Sequence, residues 1–167
     1  MTPPAVVRFQ LGGRPHALPL PEVAELADLP EPVPVPGAPP AVAGLSDLRG
    51  RVVTVIDLAR LLRLGEGPRG SGRCFAILLA APFGHIALTV EGDVKIATGL
   101  DPAPPPGIPA GAEDRAMAGG ECVIGPGTPE ETALPDAEIA IRLEARRIVQ
   151  LCSREVRGRF RIETEEE

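Results

Sequence analysis

The residues of this 167-residue chain that could carry out chemistry are two histidines, three cysteines and a scattered set of carboxylates. Cys74, Cys122 and Cys152 lie far apart and form no Cys-x-x-Cys pair, so their spacing predicts neither a zinc site nor a disulfide framework. His16 and His85 stand at the ends of predicted strands, and no residue beside either one could serve as its base. We therefore expect three reduced and mostly buried thiols, two histidines without a catalytic role, and no bound metal.

Carboxylates are the other candidates for catalysis, and an enzyme could use Asp57, Glu91 and Glu144 as general acids or bases. Such a pair needs a cleft and shifted pKa values, and the sequence indicates neither. The chain also contains no Gly-x-Ser-x-Gly motif, no phosphate-binding loop and no cluster of histidines with carboxylates. We expect no catalytic residue, no cofactor and no enzymatic activity.

Composition and charge argue against two classes of partner. Trp and Tyr are absent and the net charge is −6, whereas nucleic-acid binding relies on aromatic platforms and positive charge. The most apolar stretch, residues 75–90, is broken by Pro82 and Gly84 and is shorter than the roughly 20 residues that span a bilayer. The first residues lack the basic-then-apolar order of a signal peptide. We expect a cytoplasmic protein that binds no nucleic acid and does not insert into a membrane.

The elements that must position these residues are mainly short β-strands, because apolar segments rich in Val and Ile alternate with turn residues. Strands are predicted at residues 6–11, 16–18, 42–48, 52–56, 75–81, 85–90, 94–97, 122–124 and 139–141. A helical turn is predicted at residues 21–26, a helix at 58–64 with Asp57 as its N-cap, and a terminal helix at 143–151. Proline-rich residues 30–40 predict an extended connector, and residues 101–111 and 125–135 predict loops. This order suggests two small barrels packed together.

The segment 42–58 resembles the signature of CheW-like domains, the coupling modules of bacterial chemosensory arrays. Within it, a Leu-Arg-Gly turn at residues 48–50 and an Ile-Asp-Leu helix start at residues 56–58 occur together at the family's spacing. The opening hairpin, a Val-x-Glu-Leu segment at residues 23–26 and the hydrophobic-acidic pairs at residues 90–91 and 143–144 agree in register. The resemblance covers about residues 5–151.

This resemblance implies a fold and a function. The fold is mainly β, with two SH3-like five-stranded barrels and short helices; we expect one domain of two intertwined subdomains over residues 1–153 and a disordered charged tail over 154–167. The function is that of a non-catalytic adaptor, which binds the regulatory domain of a CheA-type histidine kinase and the cytoplasmic tip of methyl-accepting chemoreceptors. Carried over by matched position, the partner-binding residues are Val23, Glu25, Gly44 and Arg49.

Several alternatives stay open at the level of sequence. Spacing alone is compatible with an Arg49 that is simply an exposed turn residue, and its guanidinium could pair with Asp47 or Asp57 within the fold or with an acidic receptor residue. Gly44 could be required only for backbone geometry. The alternative functions are a barrel that senses a small molecule in the crevice between its subdomains, and a divergent relative of the adaptors that has lost one partner.

Overall fold

The structure, a computed structural model, describes residues 5–65, 67, 73–100, 121–125 and 138–163. The strands within these residues are β1 Ala5–Leu11, β2 Arg14–Pro19, β3 Val23–Pro30, β4 Val42–Leu48, β5 Arg51–Asp57, β6 Arg73–Leu79, β7 Ile86–Thr89, β8 Glu91–Leu100, β9 Glu121–Gly125 and β10 Glu138–Arg142. The helices are a 3-10 turn at Leu20–Glu22, α1 at Leu58–Leu61 and α2 at Ala145–Glu163. None of these helices is long and apolar enough to cross a membrane.

The strands form two five-stranded sheets, which confirms the predicted mainly β fold. In the first, β1-β2-β10-β9-β8 close into a barrel, so both ends of the described chain build one subdomain. In the second, the order is β3-β6-β7-β5-β4, so the middle of the chain builds the other. The pairs β2 with β10 and β5 with β7 are parallel, and the other pairs are antiparallel.

Tight turns set the register of the two predicted hairpins, and both hairpins are confirmed. Gly12 and Gly13 connect β1 to β2 with φ of +55° and +73°, which are the two positive φ values that a two-residue type I′ turn requires. Arg49 and Gly50 connect β4 to β5 with φ of +53° and +82° in the same way. A left-handed arginine is unusual, because the Cβ atom disfavours this backbone region.

Two apolar cores hold the subdomains. The larger core joins both sheets and α2, with Phe9 from the barrel, Ile56 and Leu88 from the second sheet and Ile148 from the helix fully or almost fully buried. A smaller core lies on the other face of the second sheet and includes Val55. Since this sheet is covered on both faces, all four residues of β7 are buried, as the continuous apolar run there predicted.

The structure corrects the extent of the first two predicted helices. Only Leu20–Glu22 are helical near Pro21, and residues 23–26 begin β3, because β3 pairs with β6 over its length. Helix α1 ends at Leu61 instead of residue 64. Arg63 there adopts φ +57°, and the Leu64 amide donates to the Ala59 carbonyl at 2.8 Å, which terminates the helix as a Schellman motif.

The C-terminal helix is longer than the sequence predicted. It was expected to end at residue 151, and α2 continues to Glu163. Residues 154–163 of the tail that we expected to be disordered are therefore helical, while residues 164–167 lie outside the described residues. The predicted loops at 101–111 and 125–135 lie outside them too, except for Gly125, which is the last residue of β9.

Candidate partner-binding site

The four residues predicted to bind partners belong to the second sheet: Val23 and Glu25 lie on its edge strand β3, Gly44 on the opposite edge strand β4, and Arg49 in the turn that follows β4. Strands β3 and β4 end the second sheet on opposite sides, and an isolated bridge joins Val33, which follows β3, to Leu45 on β4. The two backbone hydrogen bonds of this bridge are 2.7 and 2.9 Å long. The Ser46 hydroxyl also donates to the Pro30 carbonyl at 2.9 Å. We call this line of contact between β3 and β4 the seam.

An ion pair between Arg49 and Glu25 continues the seam at the β4 to β5 turn. The Arg49 Nη2 atom donates to Glu25 Oε1 at 2.6 Å, and the arginine side chain is 78% exposed while the glutamate is 29% exposed. The sequence is also compatible with a pair between Arg49 and Asp47 or Asp57, and neither of these pairs forms. Asp47 instead accepts from the Gly50 amide at 2.9 Å and stabilises the turn that presents Arg49.

Val23 and Glu25 are separated by an irregularity in β3. Val23 pairs with Leu79, whereas Glu25 pairs with Leu78, so Ala24 has no partner of its own on β6. Val23 is half-buried and packs against the larger core. Because of this irregularity, Val23 can pack against the core while Glu25, two residues later on the same edge strand, forms the ion pair.

Gly44 lies at a second irregularity, in β4 beneath the seam. Its φ is +148°, and a Cβ atom built there would be 2.2 Å from the carbonyl oxygen of Val33. The residue is also buried. The seam bridge can form only because position 44 has no side chain, so the structure gives Gly44 the backbone role that sequence analysis left open.

Exposed apolar side chains accompany the ion pair on both edge strands. Leu26 on β3, Leu45 on β4 and Val33 between them are exposed, Val33 to 69%. Neither Val33 nor Leu45 is among the candidate site residues that the sequence predicts. Leu45 could have been found from the period of two along a strand, which places Leu45 and Asp47 on the face opposite Leu48.

The carboxylates considered for catalysis have separate structural roles. Asp57 accepts from the Arg60 amide at 3.0 Å as the N-cap of α1, which confirms that prediction, and also from the Gly67 amide at 3.0 Å. Glu91 accepts from the Gly12 amide at 3.1 Å. Glu144 pairs with Arg147 at 3.0 Å. Each carboxylate is engaged by a different part of the fold.

One histidine and two cysteines also have surroundings that are typical of structural residues. His16 is buried, donates from Nδ1 to the Arg14 carbonyl at 2.8 Å and stacks on Phe9, with ring centroids 6.3 Å apart. Cys74 and Cys152 are free and half-buried. Burial raises the pKa of both thiols, and the negative charges of Asp28 and Glu155, respectively, add to this effect. Among the described residues, no cluster of His, Cys, Asp and Glu could hold a metal ion.

The chain is similar to known proteins in both sequence and structure. The family model described as CheW-like domain matches residues 5–113, a range that contains all four predicted partner-binding residues. The crystal structure of scaffolding protein TtCheW from Thermoanaerobacter tengcongensis is similar, with a TM-score of 0.60 and 22% identity over 84% of this chain and 88% of that one. No curated protein matches the sequence. The structural likeness extends over both subdomains.

Proposed function

We propose, because this chain belongs to the CheW-like domain family, that it is a non-catalytic adaptor that couples chemoreceptors to a CheA-type histidine kinase in the cytoplasm. Its partners would be the regulatory domain of that kinase and the cytoplasmic tip of methyl-accepting chemoreceptors. The mechanism is scaffolding, in which complementary surfaces hold receptor and kinase together without any chemical step.

The observation that carries this proposal is the exposed ion pair between Arg49 and Glu25. An exposed pair contributes only about 0 to 1 kcal/mol to folding, so a change of Arg49 can alter a binding surface while the fold stays intact. The guanidinium has five N–H donors in a planar arrangement. Its Nη2 atom donates to Glu25, and the remaining donors can bind a partner's carboxylate. Arginine is enriched at protein interfaces and among the residues that contribute most to binding.

We assign different roles to the four residues of the site. Arg49 and Glu25 contact the partner directly, since both have exposed polar atoms at the turn. Gly44 acts by shaping the seam, because it is buried under Val33, and Val23 acts by anchoring the start of β3 to the larger core. The exposed Leu26, Val33 and Leu45 supply apolar contact area beside the ion pair.

The proposal is tested by calorimetric titration of the purified protein with the regulatory domain of a CheA-type kinase from the same genome. We expect saturable one-to-one binding, which Arg49→Ala weakens at least tenfold through loss of a charged hydrogen bond worth about 1.5 to 3 kcal/mol. Arg63→Ala is a matched control, because Arg63 is also an exposed arginine with left-handed backbone, φ +57°, outside the seam. The control is expected to bind as the unchanged protein does.

Thermal unfolding of the same variants separates binding from folding. Arg49→Ala is expected to lose less than about 1 kcal/mol of unfolding free energy. A variant that unfolds would make Arg49 a structural residue and would overturn its assignment. An unchanged protein that binds no such kinase would remove the coupling function, while the family membership and the fold would stand.

A further inference from the structure

A pocket of about 370 Å³ lies between α2 and the second sheet, apart from the seam residues described above. The sheet contributes Thr54 and Ile56 from β5 and His85 and Ile86 at the start of β7. Helix α2 contributes one face, consisting of Val149, Cys152, Ser153, Val156 and Arg157. Its volume is within the range of about 300 to 1,000 Å³ that small-molecule sites occupy.

The base of the pocket is apolar and rigidly held. Ile56 and Ile86 are buried, and β5 and β7 run parallel beneath the helix, so that Thr54 pairs with Ile86. The Thr54 amide also donates to the His85 carbonyl at 2.8 Å, which fixes the position of His85 at the rim. An apolar group could therefore be buried here without any large rearrangement.

The polar groups of the pocket are mostly donors. Arg157 is exposed, and its guanidinium forms no ion pair with a carboxylate in the described part of the chain. The Thr54 hydroxyl and the His85 ring are further donors at the wall. Ser153 differs, because its hydroxyl already donates to the Val149 carbonyl at 2.8 Å.

Among the residues that the structure describes, no acidic side chain lines this pocket. Glu155 is on the same helix, and its charge raises the pKa of Cys152 in addition to burial, so the thiol stays neutral at pH 7. The sequence of α2 contains six arginines against two glutamates, whereas the whole chain carries a net charge of −6. Helix α2 is thus rich in positive charge on an acidic protein, and Arg157 brings one of these charges to the pocket.

We propose that this pocket binds a small amphipathic carboxylate, whose apolar part lies on Ile56, Ile86 and Val156 and whose carboxylate meets Arg157. A charged guanidinium and a carboxylate form stronger hydrogen bonds than neutral groups do, and apolar burial adds affinity without directional requirements. This activity is separate from the adaptor function, because it uses the opposite end of β5 from the Arg49 turn and requires no protein partner.

The test uses sodium octanoate as the probe, titrated into the full chain and followed by calorimetry and by backbone amide NMR shifts. We expect saturable binding with shifts concentrated at Thr54, Ile86 and Val156. Octanamide, which has the same chain and no charge, is expected to bind at least tenfold more weakly. Arg157→Gln is expected to weaken octanoate binding at least tenfold.

Arg154→Gln is the matched control, because Arg154 is exposed on the same helix and does not line the pocket. It removes the same charge and is expected to change the octanoate affinity less than twofold. Equal losses in the two variants would indicate general attraction to a basic helix and would overturn the site. Equal binding of octanoate and octanamide, or no saturable binding of octanoate, would also overturn it.

Discussion

At the scale of single residues, Gly44 has the clearest energetic role. Gly44→Ala is expected to lower the unfolding free energy by about 3 kcal/mol, because left-handed strain and overpacking each cost about 1 to 3 kcal/mol. The Cβ atom would meet the Val33 carbonyl at 2.2 Å. Gly37→Ala is the control: Gly37 also has a positive φ, +77°, and has open space around it, so the expected loss is about 1 kcal/mol. Urea unfolding measures both.

The same pair of variants tests whether Gly44 acts only through the backbone. A Gly44→Ala protein that is as stable as the Gly37→Ala protein would contradict the steric argument. If such a protein bound the kinase domain weakly, Gly44 would have to be a direct contact after all. If both stability and binding fall together, the seam geometry explains both.

The raised pKa values of Cys74 and Cys152 predict slow thiol alkylation. Because only the thiolate reacts, iodoacetamide at pH 8 should modify both cysteines more slowly than a peptide thiol. Asp28→Asn removes one cause of the raised pKa of Cys74 and should therefore speed the alkylation of this thiol. Cys152 in the same sample serves as the internal control. Mass spectrometry of the digested protein measures both rates. An unchanged rate at Cys74 would contradict the contribution of Asp28.

The same shifts have a consequence for stability. Both thiols have folded-state pKa values above the ordinary value of 9.0, so the folded protein favours their protonated forms. That contribution to stability is present below the ordinary thiol pKa and is lost as the pH rises through the folded-state value.

At the scale of elements, the sequence correctly predicted the features that depend on residues close together in the chain. The hairpins around residues 12–13 and 49–50 followed from turn residues between apolar segments. Strand β3 was missed because Pro21 suggested a helix start, and the pairing of β3 with β6 connects residues about fifty positions apart. The site residues came from the family motif, but the contact of Arg49 with Glu25 depends on the seam, which no local pattern indicates.

The start of α2 depends on an element far away in sequence. The Glu22 carboxylate accepts from the Ala145 amide at 2.7 Å, and the Glu22 carbonyl accepts from the Ala80 amide at 2.9 Å. Glu22→Ala is expected to cost about 1 to 2 kcal/mol of unfolding free energy, because an amide at the helix N-terminus loses a charged acceptor. Glu31→Ala removes an exposed glutamate as the control. Equal stabilities of the two variants in urea would contradict the role of Glu22.

At the scale of the whole molecule, the two subdomains share one core. The larger core takes residues from the barrel, the second sheet and α2, and the Glu22 contact ties the helix to the connection between β2 and β3. Each subdomain therefore adds to the stability of the other. Sequence spacing could not predict this arrangement, because the β2 to β10 pair joins residues more than 120 positions apart.

The strands of the second sheet lie in sequence between β2 and β8 of the barrel, and this order has a consequence for synthesis on the ribosome. Every strand of that sheet lies between Val23 and Thr89, whereas the barrel needs β10, which ends at Arg142. A nascent chain therefore has all strands of the second sheet before it has the strand that pairs with β2. We expect stalled chains that expose residues 1–100 to protect β3 to β7 from limited proteolysis while the β1–β2 hairpin is still cleaved. Until translation supplies β10, that hairpin has an open edge for a chaperone to cover.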